Sequence, residues 1–195
     1  MMANPKHVAE LKKGVQSWNQ WRQRFPDVIP NLTTSNWVEA DLSNANLQLA
    51  NMSGANLLGA ILTGAALRCA NLANTDLLGG LLNGADMSRA HLCWTRLFGA
   101  NLDSATLAGA DLYGVDLGRA ILSESNLMGA SLMETDLCEA NLHRAQLLGT
   151  NLYNANLNRA VLRKVEGLTV SQIKTAHNWD GAFFSEEFKM KLGWM

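Results

Sequence analysis

From Ala40 to Lys164 the chain is written in units of five residues, with no insertion and no deletion. Typical units are Ala45-Asn46-Leu47-Gln48-Leu49, Ala55-Asn56-Leu57-Leu58-Gly59 and Ala140-Asn141-Leu142-His143-Arg144. The third position is Leu throughout, except Met52 and Met87. The first is mostly Ala, and otherwise small or β-branched, as at Thr75, Gly80, Thr95, Val115, Ser125, Thr135 and Thr150. The second is mostly Asn or Asp. Two looser units, Pro30-Asn31-Leu32 and Ser35-Asn36-Trp37, carry the same register upstream. A period of five suits neither ordinary element. On an α-helix each step of five advances about 140° beyond a full turn, so the leucines would spread around the whole surface. On a strand, an odd step sends alternate leucines to opposite faces. Recurrent Asn, Asp and Gly oppose a long helix and favour turns. The consistent solution is a chain that turns once per unit and sends every Leu to a common axis.

This A(D/N)LXX pattern resembles that of the pentapeptide-repeat family, over about two-thirds of the chain. The resemblance implies an all-β solenoid, a right-handed quadrilateral β-helix in which four units make one coil of 20 residues. The central Leu and the small residue before it would point inward, and the other three positions outward. At the roughly 4.8 Å spacing of hydrogen-bonded strands, about seven coils would form a rod some 30 Å long. Inward hydroxyls at Thr75, Thr95, Thr135 and Thr150 would need backbone partners. Gly80, with no methyl at the inner corner, is expected to mark a local irregularity.

A solenoid leaves an unpaired coil at each end, so caps are expected. Three segments follow: an N-terminal capping helix in 1–29, the solenoid in 30–164, and a helical C-terminal cap or tail in 165–195. Residues 5–24 have the form of one amphipathic helix, with Asn4 as N-cap, Pro5 at the first position and Val8, Leu11, Val15 and Trp18 at helical spacing. Arg24-Phe25-Pro26 ends it. Thr169-Val170-Ser171-Gln172 has the form of a capping box opening a helix to about His177. Trp179, Phe183, Phe184 and Phe188 either cover the last coil or form a homodimer contact, which some members of the family use at this end. Both flanks resemble those of cyanobacterial pentapeptide-repeat proteins, in Trp18-Asn19-Gln20-Trp21-Arg22 and in Leu168-Thr169 with Asn178-Trp179.

Hydrophobic residues make up 48% and charged residues 17%, the latter below the roughly 25% usual for soluble domains. A polar but uncharged surface accounts for that deficit. The net charge of -1 carries no basic patch, so direct nucleic-acid binding is not expected. The polar start, Met1-Met2-Ala3-Asn4-Pro5-Lys6-His7, leads into no apolar signal segment, and no long apolar run follows. A cytoplasmic protein without a membrane span is the expectation, as a monomer or a homodimer through its C-terminal end. Cys69, Cys93 and Cys138 are odd in number, against a disulfide framework, and in the family geometry they fall on three different sides.

Chemistry-bearing constellations are sparse. His7, His91, His143 and His177 have no metal-ligand spacing with Cys or other His, so no metal and no cofactor are expected. Gly79-Gly80-Leu81-Leu82-Asn83-Gly84 lacks the Lys and Ser/Thr of a phosphate loop. Asp76, Asp116 and Asp136 recur at the second position as part of the repeat. No catalytic residue is assigned, and an enzyme is not expected.

Residues 20 apart share a side in the family geometry, which sorts the outward surface. The branched apolar residues Ile61, Leu81, Ile121 and Val161, at the position where Asn or Asp is the rule, all fall on one side; they mark either a contact surface or a packing variant. Two units further round run Ala73, Cys93, Tyr113, Met133 and Tyr153, with His91 and Trp94 beside them. These form either an interaction hot spot or a ladder of stacked side chains. The next side sets Asp76, Asp116, Asp136 and Glu139 against Arg96, Arg119 and Arg159. The family's DNA-gyrase protectors mimic duplex DNA, which needs a dense negative surface. Between Pro30 and Lys164 stand 11 acidic and 8 basic residues. The leading expectation is therefore a non-enzymatic scaffold for a protein partner, with gyrase modulation by DNA mimicry as the alternative.

Overall fold

The computed structural model of the chain describes residues 2–194. In the repeat, each second-position residue pairs in parallel with the residue 20 places on: Asn31 with Asn51, Asn51 with Asn71, and so on as far as Gln146 with Glu166. Four pentapeptides thus make one turn of the chain, and four ladders run along its sides.

The unit Ala100-Asn101-Leu102-Asp103-Ser104 shows why five residues close a side. The Ala100 amide donates to Leu97 O (3.0 Å) across the corner, and the Asn101 amide to Gly80 O (2.9 Å) in the preceding coil. Leu102 and Ser104 donate to Ile121 O (2.7 Å) and Ser123 O (2.9 Å) in the following coil. The remaining donor, Asp103 N, is satisfied by the Asn101 side chain, Oδ1 accepting at 3.0 Å. Every amide of the unit has a partner, as a densely packed backbone requires. The Asn or Asp rule at the second position is therefore a turn rule: its carboxamide or carboxylate replaces a missing backbone acceptor. The corner is the fifth residue. Every fifth residue from Thr34 to Lys164 has a positive φ, including Leu49 (61°) and Trp94 (60°). A positive φ at the third residue of a four-residue turn is the signature of a type II turn, which Gly and Asn adopt with least strain.

The third-position leucines and first-position alanines fill the axis and are almost wholly buried. Each such Leu contributes about 1.5–3 kcal/mol before chain entropy is subtracted. The inward hydroxyls find carbonyls as expected: Thr75 and Thr95 both donate to Leu72 O (2.8 Å each), Thr135 to Leu112 O (2.8 Å) and Thr150 to Leu147 O (2.9 Å). The irregularity expected at Gly80 is absent. Its amide keeps the corner bond to Leu77 O (2.9 Å), and Leu81 keeps its ladder bond to Ala60 O (3.0 Å). Closure depends on the backbone there, and the missing methyl leaves it unchanged.

At the N-terminal end the expected single helix over 5–24 is two helices, α1 (Pro5–Lys12) and α2 (Val15–Arg24). Gly14, with φ 105°, breaks them, a conformation open to glycine and strained for other residues. Asn4 does cap α1, accepting from Lys6 N at 2.9 Å. The helices supply what the first coil lacks, since no preceding coil accepts its second-position amides. Asn31 N donates instead to His7 Nδ1 (2.9 Å) and Asn46 N to Asn19 Oδ1 (2.8 Å). The buried Trp18 donates its indole N–H to Asn46 O (2.8 Å), and the buried Arg22 donates to Gln48 O (3.1 Å).

The capping box at Thr169 is present, but its helix, α3 (Val170–Ile173), is shorter than expected. The Thr175 hydroxyl takes the Gln172 carbonyl at 2.7 Å, and Asn178 turns left-handed with φ 53°. The pentapeptide spacing ends, yet the pairing continues at wider intervals: Asn156 with His177, then strand β1 (Val161–Leu162) with strand β2 (Phe183–Phe184). A short 3-10 turn (Trp179–Gly181) precedes β2, and α4 (Glu186–Leu192) follows it. Among the described residues no helix is long and apolar enough to cross a membrane.

His7 links the N-terminal helices to pH. Burial, and then the nearby Arg22 charge, hold its pKa below the ordinary value of 6.5. The folded chain thus favours neutral imidazole, which is the form that accepts from Asn31 N. Its contribution is complete above the unfolded-state pKa and is lost as pH falls through the lower folded-state value. The melting temperature is expected to drop between about pH 7 and pH 5, and to drop less in a His7→Asn variant. Equal pH dependence in the two proteins would refute the assignment.

Candidate interaction surface

Two rings define the side that carries Trp94. Trp94 is 54% exposed although its indole is held by the next coil. It meets Tyr113 edge to face, with centroids 5.1 Å apart and an interplanar angle of 90°, the geometry aromatic pairs prefer. It also lies flat over Gly114, where an added Cβ would come within 2.5 Å of the indole. Other residues at this corner position, Asn74, Glu134 and Asn154, share the positive φ. Glycine is thus needed at 114 for room and not for backbone conformation. Tyr113 is half-buried and donates its hydroxyl to Glu134 (2.9 Å). Met133 is half-buried one coil on, and Tyr153, two coils beyond Tyr113, is 51% exposed. His91 is exposed on the same side. The structure therefore joins Trp94 to Tyr113, with Met133, Tyr153 and His91 placed along the same ladder.

Beside the rings, the Cys93 thiol donates to Asp111 Oδ2 (3.1 Å). Burial, reinforced by the Asp111 charge, pushes its pKa to about 11, so thiolate is scarce at neutral pH. All three cysteines are free.

On the second candidate side, Leu81 and Ile121 are each 41% exposed, while Ile61 and Val161 are half-buried. Asn101 and Asn141 stand between them in the ladder. The tail adds to this column, because Phe183 pairs with Val161 in register. On the mixed side two of the acidic residues are engaged by arginines one coil away: Asp76 by Arg96 (2.7 Å), and Glu139 by Arg119 and Arg159 (2.9 and 3.8 Å). Exposed pairs like these add little stability, but they leave no continuous negative stripe.

The sequence reasoning missed one column. Val38, Leu58, Leu78 and Phe98 occupy the fourth position of that mixed side in four successive coils, and all but Leu78 are exposed. Phe98 packs against Gly118, with the Arg119 guanidinium 5.8 Å from its ring centroid. The signal was present as four apolar residues at intervals of 20. Leu148, exposed on yet another side, has no such periodic partner beyond Met128. Among the described residues no three His, Cys, Asp or Glu side chains converge as metal ligands.

A family model described as Pentapeptide repeats (8 copies) matches residues 31–64, 65–103, 85–124 and 125–163, and the chain belongs to the pentapeptide-repeat family. Proteins of this family form right-handed quadrilateral β-helices. Among solved structures the chain is similar to Rfr23, a pentapeptide repeat protein from the cyanobacterium Cyanothece 51142. The identity is 34% over 52% of this chain and 60% of that one, with a TM-score of 0.36, so the likeness spans less than two-thirds of Rfr23. It is also similar to HetL, involved in heterocyst differentiation regulation in the cyanobacterium Nostoc sp. strain PCC 7120. There the identity is 25% over 85% of this chain and 93% of that one, with a TM-score of 0.37. QnrB1, a plasmid-mediated fluoroquinolone resistance protein, matches at 17% identity over 82% of this chain and 85% of that one, with a TM-score of 0.38. No curated protein matches the chain.

Two outcomes test this geometry. Gly114→Ala is expected to dislodge the indole, seen as loss of near-ultraviolet circular dichroism in the tryptophan region while the far-ultraviolet spectrum is kept. Cys93 is expected to alkylate slowly with iodoacetamide at about pH 8 and faster in Asp111→Asn, which keeps the turn acceptor but removes the charge. An unchanged spectrum, or an unchanged rate, contradicts the respective contact.

Proposed function

We propose that the chain is a non-enzymatic interaction module of the cytoplasm. In this reading residues 30–164 form a rigid rod of about seven coils, and residues 1–29 and 165–195 close its ends as caps. The rod presents the side bearing His91, Trp94, Tyr113, Met133 and Tyr153 to a protein partner. The observation that carries the reading is Trp94, a large ring half open to solvent yet clamped by Tyr113 and Gly114. A pre-positioned exposed aromatic loses little side-chain entropy on binding, as hot-spot residues require. Gyrase modulation by DNA mimicry draws less support, because arginines pair with Asp76 and Glu139 on the side richest in acidic residues.

Affinity capture from a cyanobacterial lysate tests this, using wild type beside a Trp94→Ala/Tyr113→Ala variant shown to be folded by circular dichroism. The expected result is a partner retained by the wild type and lost by the variant. Identical captures would return the rings to a purely structural role and move the search to the Ile61, Leu81, Ile121 and Val161 side.

A further inference from the structure

We propose that the Trp94 side takes a proline-rich segment bearing an adjacent Arg or Lys, bound in the polyproline II conformation along the rod axis. This rests on the interaction reading above and names its partner class. Three observations converge on it.

The first is spacing. Tyr113 and Tyr153 hold the same position two coils apart, which at the stacking distance of strands is about 9.6 Å. A polyproline II helix rises about 3.1 Å per residue with three residues per turn, and so repeats every 9.3 Å or so. Successive turns of such a ligand meet the two tyrosines in step, with the half-buried Met133 between them. An extended strand, repeating every 6.7 Å or so, falls out of step with the same ladder.

The second is the hydrogen-bonding chemistry. A polyproline II segment has no internal hydrogen bonds and presents its carbonyls to the surroundings. The exposed Trp94 indole N–H has no acceptor among the described residues, and neither does the Tyr153 hydroxyl. Proline-rich segments dock on aromatic side chains, and these two free donors can take the carbonyls such a segment presents.

The third is charge. Along this side, from Asn31 to Asn154, the only formal charges are Asp111 and Glu134, both acidic. Both lie beside the rings, Asp111 through Cys93 and Glu134 through the Tyr113 hydroxyl. A flanking cation on the ligand is complementary to them, and a neutral or acidic ligand leaves them uncompensated.

The test is fluorescence anisotropy of a labelled peptide with two arginines followed by about nine prolines, three turns of the helix. The control replaces the prolines with alternating glycine and serine, keeping charge and length. The expected result is saturable binding of the proline peptide that weakens at least about tenfold in Trp94→Ala and in Tyr153→Ala, and again in the control peptide. Tyr153→Ala is the safer variant, since that ring is 51% exposed and among the described residues stacks on no other ring. Equal binding of the glycine–serine peptide, or wild-type affinity in Tyr153→Ala, overturns the proposal. So does binding of a linear glycan such as cellohexaose in place of the peptide. If the lysate partner is lost in Trp94→Ala/Tyr113→Ala while the proline peptide does not bind at all, this partner class falls and the interaction reading stands.

Discussion

Backbone hydrogen bonds between residues 20 apart are the constraint from which the rest of this molecule follows. Each pentapeptide spends three of its amides on neighbouring coils and a fourth on its own corner, as Ala100–Ser104 illustrates. That leaves one donor, at the fourth position, and where the second position is Asn or Asp its side chain takes it, as Asn101 does for Asp103. With the ladder amides committed in this way, a slip of one residue would expose the leucines and orphan the donors together. The ladder also explains why the ends are built as they are. His7 and Asn19 accept the amides that a preceding coil would otherwise have accepted, and His177 and Phe183 extend the pairing beyond the last regular unit.

A lattice of this kind quantises the surface. Outward side chains recur at fixed steps, so contacts between neighbouring coils become inevitable, and their character depends on which residues are stacked. Arg96 over Asp76 and Arg119 over Glu139 offset part of the negative charge of one side. Trp94 over Gly114 and against Tyr113 instead makes a fixed aromatic ledge. Stacking between coils and exposure to a partner are not exclusive for that column. Stacking removes the motion of the indole, while its remaining exposure is what a partner would use. Function on such a fold is written entirely at outward positions, since the inward ones are occupied by closure.

The legibility of the fold differs sharply along the chain. The leucine column and the inward hydroxyls that need carbonyl partners were readable, because each depends on local chemistry repeated many times, and the coil of 20 residues followed from the family resemblance. Other features were not. The break at Gly14 has no trace in the apolar pattern, because Val8, Leu11, Val15 and Trp18 keep a helical phase across a single residue with positive φ. Gly80 was expected to disturb its corner and does not, since closure rests on backbone bonds that glycine supplies as well as alanine. The tail was read as a helix to His177, whereas α3 stops at Ile173 so that His177 can pair with Asn156. That choice is made by the unpaired edge of the preceding coil, which lies outside the segment itself.

For the surface, the sequence by itself determined the period of five, and with the 20-residue coil that the family resemblance implies, it determined which residues point outward and which share a side. On that basis Tyr113, Met133 and Tyr153 form a column, as do Ile61, Leu81, Ile121 and Val161. Only the tertiary structure decided what those columns do to one another. It laid the Trp94 ring across the coil boundary onto Gly114, buried Met133 halfway, and set Phe98 beneath Arg119 at the end of an apolar column the sequence reading had passed over. The physical reason is that position follows from backbone periodicity, which is a property of sequence order. Exposure and contact follow from side-chain volume and rotamer between neighbouring coils, and these are settled only when the coils are stacked.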